Sequence, residues 1–449
     1  MSGLSDQKRA AMALLIESAP DAMLASIEAA FRTSNTDQAR AVCEAAEAAR
    51  VDRAARMLAL EPVLPLFTRR VDGVRAPSYP KATLKALWAE LKQRRPEAVA
   101  ILAARIRAEE RDVPSVLVDG LCAEAASMLR DGQVGRWGLA SEDEAESLAA
   151  YFELAPLART ALPRLHDWLG RVNDERGVAL RLAFKDAAGV RDDGAALLLE
   201  LLMGHLGHAG QVLRLVAAVT DGASEGFIRS SELADFGERL VEFVEAQAGR
   251  LKRLGPRATV KDAQDAVEAL EAATDVITEF GMSVPQTSGG AWSQRLSAAR
   301  ATMSGQLEST LRSGEKLVDK ALPLTSTRIA GRMSRLAPNL AADPAAPAVA
   351  EARAVLVVLN GTRGLAAAMG CESLRAQVSE AVATRADAYA EEVLQSLHAG
   401  EVEDVPRALA LLDVAAEVLA LSRGDQAAAL VRRRAAVALS SEPKAGEAA

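Results

Sequence analysis

The chain has 449 residues, of which 50% are hydrophobic, 25% are charged and only 3% are aromatic. This balance excludes an intrinsically disordered chain, because such chains lack the apolar residues needed to build a core. The 61 acidic residues outnumber the 53 Lys and Arg residues and give a net charge of −8, so we expect no nucleic-acid partner.

Ala, Leu, Arg and Glu favour helices, whereas the aromatic residues on which strand-rich proteins rely are few. The composition therefore predicts an all-α protein. We expect a multi-hairpin helical array, either α-solenoid-like or an irregular bundle, with a separate C-terminal helical bundle. The abundance of Ala and Arg is typical of high-GC bacterial genomes. Three cysteines without a CxxC pair predict free thiols in a cytoplasmic protein.

The N-terminal region, residues 1–72, is predicted to form helical hairpins. Residues 73–80 contain two prolines and a glycine, which predicts a linker. A central helical array is then expected over residues 81–280. Within it, Ser141 followed by Glu144 is the pattern of a capping box, and Thr259 is placed to begin a further helix.

The longest nearly continuous apolar stretch, residues 195–219, predicts one central buried helix. Its few polar or small residues share one stripe, and its charged side chains would be costly in lipid, so a membrane span is disfavoured. Gly204 and Gly207 lie on this stripe and predict the close approach of a neighbouring helix.

Two histidines on this predicted helix are the leading metal-ligand candidates. His205 and His208 lie three residues apart, close enough to share a metal ion with Glu200. The chain has only four histidines and offers no matching ligand pair elsewhere, so we favour buried, hydrogen-bonded histidines and expect no metal or cofactor. A helical enzyme with a metal or polar pocket at these three residues remains the alternative.

Residues 291–336 contain eight Lys or Arg and three Asp or Glu, a local charge of eight minus three, or +5. We expect a basic amphipathic helical segment here, whose end, residues 324–336, carries Arg and apolar residues at helical spacing. Such a helix can dock into the groove of a partner protein or lie on anionic lipid, or it can simply cover its own protein. The predicted contact residues are Arg328, Arg332, Arg335, Ile329, Met333 and Leu336.

Residues 338–347 contain three prolines and predict another linker. A C-terminal helical bundle is expected over residues 349–440, followed by a disordered tail at 441–449. The apolar run 355–359 could instead be a strand that enters a turn, but no matching second strand follows, so we favour a helix there.

These features favour a cytoplasmic scaffold, adaptor or regulatory protein that binds other proteins through helical surfaces, with homo-oligomerisation left open. One alternative is the helical enzyme at Glu200, His205 and His208. The other is a peripheral membrane protein that uses the basic helix at 324–336. The lack of a local catalytic motif weighs little, because a site assembled from distant helices leaves none.

Overall fold

The structure is a computed structural model that describes residues 15–16, 19–31, 36–110, 113–170, 174–255, 257–285, 289–330 and 333–440. Over these residues the chain is helical apart from one two-stranded sheet, which confirms the predicted all-α class. The chain divides into two compact units. The first is Met1–Ala223 with Phe227–Phe236, and the second is Ser224–Gly226 with Gly237–Ala449.

The described part of the first unit is built from helices of very different lengths. In chain order they are α1 Asp21–Phe31, α2 Asp37–Leu60, α3 Lys81–Arg94, α4 Pro96–Arg107, α5 Ser115–Asp131, α6 Val134–Trp137, α7 Glu142–Leu169, α8 Asp174–Val190, α9 Gly194–Gly204 and α10 Val212–Val219. Two short 3₁₀ segments, Glu61–Phe67 and Ala209–Gln211, connect them. Helix α7 packs against α5, α8 and α9, so the core of this unit is built along it.

Both capping signals in the sequence begin helices, although the carboxylate of Glu144 accepts from the backbone N–H of Ala140 and not from that of Ser141. The hydroxyl of Ser141 accepts the backbone N–H of Glu144 at 3.1 Å and begins α7. Thr259 and Asp262 form the reciprocal capping box that begins the second unit's first full helix. These side chains satisfy backbone donors that have no partner inside the first turn of a helix.

The prediction of one continuous helix over residues 195–219 is wrong. Helix α9 ends at Gly204, and α10 begins only at Val212, after a turn and a 3₁₀ segment. Both helices are strongly apolar and largely buried, so the hydrophobic pattern predicted burial correctly but did not reveal the break. A run that is apolar on nearly all sides carries no periodic signal for where a helix stops.

The break is held by an ion pair that the sequence pattern does not show. Arg70 binds Asp72 at 2.5 Å and donates to the carbonyls of Met203 and Leu206 at the end of α9. Asp72 in turn accepts the backbone N–H of Ala209 at 3.0 Å. This mostly buried ion pair therefore satisfies carbonyl groups on one side of the break and an amide group on the other. In a continuous helix, these backbone groups would form hydrogen bonds within the helix instead.

The two glycines of this region differ in their surroundings. A Cβ built on Gly204 would lie 2.7 Å from the Cβ of Pro65, so the close approach predicted at Gly204 is confirmed. A Cβ on Gly207 would have no neighbour within 4 Å, so the corresponding prediction for Gly207 is wrong.

Replacing Gly204 with Leu is expected to lower the free energy of unfolding by about 1–3 kcal/mol, because the Pro65 ring cannot move aside as a flexible side chain could. The matched control is Gly207→Leu, whose side chain meets open space. Chemical denaturation of both variants measures the difference. Equal stabilities would show that close packing at Gly204 does not matter.

Asp72 should make the stability of the first unit depend on pH. Burial alone would raise the pKa of Asp72, but the hydrogen bond and charge of Arg70, with the amides of Ala209 and Val74, hold it below its usual value. A carboxylate with a lowered pKa stabilises the fold above its unfolded-state pKa, and this contribution is lost as the pH falls through the folded-state pKa.

We expect Asp72→Asn to reduce the free energy of unfolding at neutral pH by roughly 1–3 kcal/mol. The difference from the unmodified protein should shrink as the solution is acidified. Urea unfolding across an acid pH series checks this, with Asp192→Asn as the control because Asp192 is exposed and without an ion pair in the described chain. A constant difference at every pH would contradict the assignment.

The second unit is also helical. Two helices have residues in both units, namely α11 Glu225–Arg229 and α12 Ala234–Leu251. The other helices of the second unit are α13 Val260–Ser283, α14 Ala291–Ala321, α15 Pro347–Gly361, α16 Glu372–His398, α17 Val405–Arg423 and α18 Asp425–Ser440. Helix α15 packs on α13 and α14, and α17 packs on both α16 and α18. The run 355–359 lies inside α15, so its helical prediction is confirmed.

The predicted basic helix over residues 324–336 is wrong. Strands β1, Leu324–Ala330, and β2, Met333–Pro338, form an antiparallel hairpin in which Leu324 lies opposite Pro338. Thr and Ile residues in β1 favour extended structure, and Gly331 weakens a helix, so local propensity opposed the helical spacing of the Arg residues.

The predicted ranges 81–280 and 349–440 both contribute to the second unit. This unit contains the end of the first range, from residue 237, and the whole of the second range. The predicted tail at 441–449 lies outside the described residues. Within the described part of the chain, every helix is too short or too polar to cross a membrane.

Candidate functional site

The predicted metal-ligand residues do not share one helix face. Glu200 is buried within α9, whereas His205 and His208 lie in the turn after it. The Nε2 atom of His205 lies 3.3 Å from the carbonyl oxygen of Pro62, and His208 is exposed. Burial lowers the pKa of His205 and so favours the neutral ring, whose Nε2–H donates to the carbonyl oxygen of Pro62.

No group of three or more His, Cys, Asp or Glu side chains has a metal-binding arrangement within the described ranges. Burial raises the pKa of the Cys122 thiol to about 11. A thiol with so high a pKa is a poor nucleophile at neutral pH. Among the described residues, Glu200, His205 and His208 therefore do not form a metal-ligand set.

The predicted contact residues at 324–336 lie on the hairpin. Arg335 pairs with Glu392 of α16 at 3.2 Å, and Leu336 is 62% exposed. Arg332 lies outside the described residues, and for Arg328, Ile329 and Met333 only the strand position is described. The structure thus uses Arg335 to hold β2 on α16, and it does not bring the six residues onto one helix face.

A different site lies beside this segment, in a groove of about 400 Å³ on the second unit. Its walls are one stripe of α14, one stripe of α15 and the turn that precedes α13. The lining residues are Leu254, Gly255, Arg257, Ala258, Ser309, Thr310, Ser313, Lys316, Leu317, Lys320, Glu351, Ala354, Val355 and Val358. We call this the cationic groove.

Within the described part of the chain, the cations of the groove have no protein partner. Arg257, Lys316 and Lys320 are exposed, and each is without an ion pair or side-chain hydrogen bond within the described chain. Among the described lining residues, Glu351 is the single acidic one. The groove therefore combines an excess of positive charge with side chains that are not needed to satisfy one another.

The floor of the groove is apolar. Leu254, Val355 and Val358 line the groove and are buried, and Leu317 lies half-buried beside them. A floor of this kind favours the burial of an apolar group from outside, at about 25 cal/mol per Å² removed from water. Charged rims around an apolar floor are a common form of binding site.

The walls of the groove are held in place by hydrogen bonds. The side-chain amide of Gln306 on α14 donates to the carbonyl of Leu254 at 2.7 Å, which ties the turn to the helix. Thr310 and Ser313 donate their hydroxyl protons to backbone carbonyls of α14, so their oxygens can only accept a further bond. A ligand donor is therefore suited to these hydroxyls, and a ligand anion to the Lys residues.

Comparison of the chain with protein-family models, with curated proteins and with solved structures finds no match.

Sequence reasoning pointed to the segment that contains part of the groove, but it named other residues as the contacts. The excess charge of residues 291–336 includes Lys316 and Lys320, yet the prediction placed the contacts on residues 324–336. Arg257 and the floor residues of α15 come from distant parts of the chain, and only the fold brings them beside α14. The available signal was that the stripe of residues 309, 313, 316 and 320 mixes hydroxyls and Lys at helical spacing.

The groove cations should contribute little to folding. For Lys316→Gln combined with Lys320→Gln, we expect the free energy of unfolding to change by no more than about 0.5 kcal/mol, because neither ammonium group has a partner to lose. By contrast, Arg295 on the same helix pairs with Glu238 and Glu245. Arg295→Gln should therefore cost about 0.5–1 kcal/mol. Denaturant unfolding separates the two cases, and a large loss in the Lys variant would show that these residues serve the fold.

Proposed function

We propose that this protein is a helical scaffold or adaptor that binds a partner protein through the cationic groove. The observation that carries the proposal is the set of unpaired cations, Arg257, Lys316 and Lys320, around an apolar floor. Such a surface suits an acidic amphipathic helix, whose apolar face meets the floor and whose carboxylates meet the cations. No nucleic acid, metal or cofactor is part of the proposal.

The dimensions of the groove support a helix as the occupant. The α14 wall runs from Ser309 to Lys320, a rise of about 16 Å, or three helical turns. Lys316 and Lys320 lie one turn apart, so they match carboxylates spaced by four residues on a docked helix. Ser309, Lys316, Lys320 and Arg257 are all exposed, so the groove is open to solvent along its length.

The membrane-surface alternative has lost its main support. It depended on an amphipathic helix at 324–336, and that segment is a β-hairpin. We place the proposed activity in the cytoplasm, because Cys43, Cys122 and Cys371 are all free thiols, as expected in a reducing compartment.

The proposal is tested by cross-linking from within the groove. A photo-reactive residue at Ser309 should cross-link a specific protein in the cell that makes this chain. The matched control is the same probe at Ser297, another exposed serine of α14 that lies outside the groove lining. The captured protein is then purified, and its affinity is measured directly.

Affinity for the purified partner should fall by about tenfold or more in Lys316→Glu combined with Lys320→Glu. Arg69→Glu with Lys81→Glu makes the same change in net charge at exposed residues outside the groove and should leave the affinity unchanged. The proposal fails if Ser309 and Ser297 capture the same proteins. It also fails if native mass spectrometry finds a small anionic amphiphile in the groove in place of a protein.

A further inference from the structure

The second unit carries an acidic surface that complements the cationic groove. Helix α13 has six carboxylates and, after Lys261, no Lys or Arg. The four at Asp265, Glu268, Glu271 and Asp275 are exposed and lie on one stripe of the helix. We call this stripe the acidic ridge.

The carboxylates of the ridge are as free as the cations of the groove. None of the four has an ion pair or a hydrogen bond to another described residue. By contrast, many arginines elsewhere in the described chain are paired, as Arg353 is with Glu417 and Arg423 with Glu380. Like charges at one-turn spacing destabilise an isolated helix, so an unpaired row of carboxylates has a cost unless a cation meets it.

The ridge and the groove also match in length and spacing. Asp265 to Asp275 spans about 15 Å along α13, close to the length of the α14 wall. Carboxylates at Glu271 and Asp275 lie one turn apart, as do Lys316 and Lys320 in the groove. Two helices laid side by side can therefore place both pairs in register.

An apolar group completes the match. Met282 lies two turns beyond Asp275 on the same side of α13, and it is 63% exposed. A flexible, unbranched Met side chain fits irregular apolar surfaces well. The groove floor of Leu254, Val355 and Val358 is a surface of that kind.

We propose that the acidic ridge of one copy of this chain docks into the cationic groove of a second copy. This inference rests on the proposed function, because it names the partner of the same groove. Both surfaces belong to the same unit, so every copy that offers a groove also offers a ridge at equal concentration. Each junction brings Lys316 and Lys320 against ridge carboxylates and Met282 against the apolar floor.

Salt dependence alone is a poor test of this contact. Each copy carries a net charge of −8, so salt weakens the attraction between ridge and groove but also weakens the repulsion between whole copies. Charge reversal at named residues avoids this cancellation, since it changes the local contact and can be balanced by a control of equal net charge.

The test measures the oligomeric state of the purified full chain by sedimentation and by light scattering over a range of concentrations. We expect the unmodified protein to self-associate. Lys316→Glu with Lys320→Glu should raise the Kd of self-association by about tenfold or more, as should Glu268→Lys with Glu271→Lys. Arg69→Glu with Lys81→Glu, and Glu401→Lys with Glu403→Lys, are the charge-matched controls and should leave it unchanged.

Mixing the two reversed variants is the decisive step. In a solution of the groove variant alone, the Glu-bearing groove meets only acidic ridges, which it cannot bind. After mixing, the same groove can bind the Lys-bearing ridge of the ridge variant. We expect the mixture to recover association, detected as mixed complexes by fluorescence energy transfer between differently labelled variants. Circular dichroism and thermal unfolding confirm that each variant is folded.

The outcomes separate this inference from the proposed function. A chain that stays monomeric at every concentration, or a dimer that neither reversal weakens, overturns the self-docking inference. If Ser309 then still cross-links a different protein in a Lys316- and Lys320-dependent way, the proposed function stands with another partner. If Ser309 captures nothing specific, both fail.

Discussion

The second unit depends on one buried carboxylate at the start of its longest helix. Glu225, only 1% exposed, accepts the backbone N–H of Trp292 at 2.7 Å and both the N–H and the hydroxyl of Ser293. A negative charge at this end is favoured by the helix dipole and by the unpaired first-turn amides. Two glycines leave room for this arrangement. A Cβ on Gly290 would lie 2.0 Å from the Glu225 side chain, and a Cβ on Gly237 would lie 2.3 Å from the Trp292 ring. The same carboxylate explains why the short segment Ser224–Gly226 belongs to this unit.

The far end of α14 is held by a cation in the same way. Arg385 of α16 donates to the carbonyl of Leu322, just past the helix end, and pairs with Asp319 at 2.9 Å. A positive charge there complements the carbonyl end of the dipole. Lys316 and Lys320 thus project from a 31-residue helix that is fixed at both ends. A rigid support of this kind lowers the entropy that the protein itself would lose on docking a partner, because the backbone that carries Lys316 and Lys320 is already fixed.

What could be predicted from the sequence is what depends on near neighbours. The caps at Ser141 and Thr259 each involve a partner three residues away, and both are present as expected. The cap at Trp292 comes from Glu225, 67 positions earlier, so no window of sequence contains both groups. The helix predicted over residues 324–336 failed for another reason. Two local signals conflict in the segment 324–338, a helical spacing of Arg residues and a run of strand-favouring residues. Only packing against α16 decides between them.

The cationic groove could be predicted only in part from the sequence, because a count of charged residues does not show which of them are already paired within the fold. Of the basic residues in 291–336, Arg295 and Arg335 are engaged by carboxylates of neighbouring elements, while Lys316 and Lys320 are not. The difference follows the chemistry of the two side chains. The planar guanidinium of Arg forms paired bonds to a carboxylate, as Arg353 does with Glu417, and so suits contacts within the fold. The ammonium of Lys is compact, strongly hydrated and carried on a flexible stem, so it costs little to leave in water. A cluster of free Lys beside a buried apolar floor is therefore stable without a partner and complementary to a partner that brings carboxylates. Which carboxylates those are depends on surfaces that become visible only after folding, such as the one along α13.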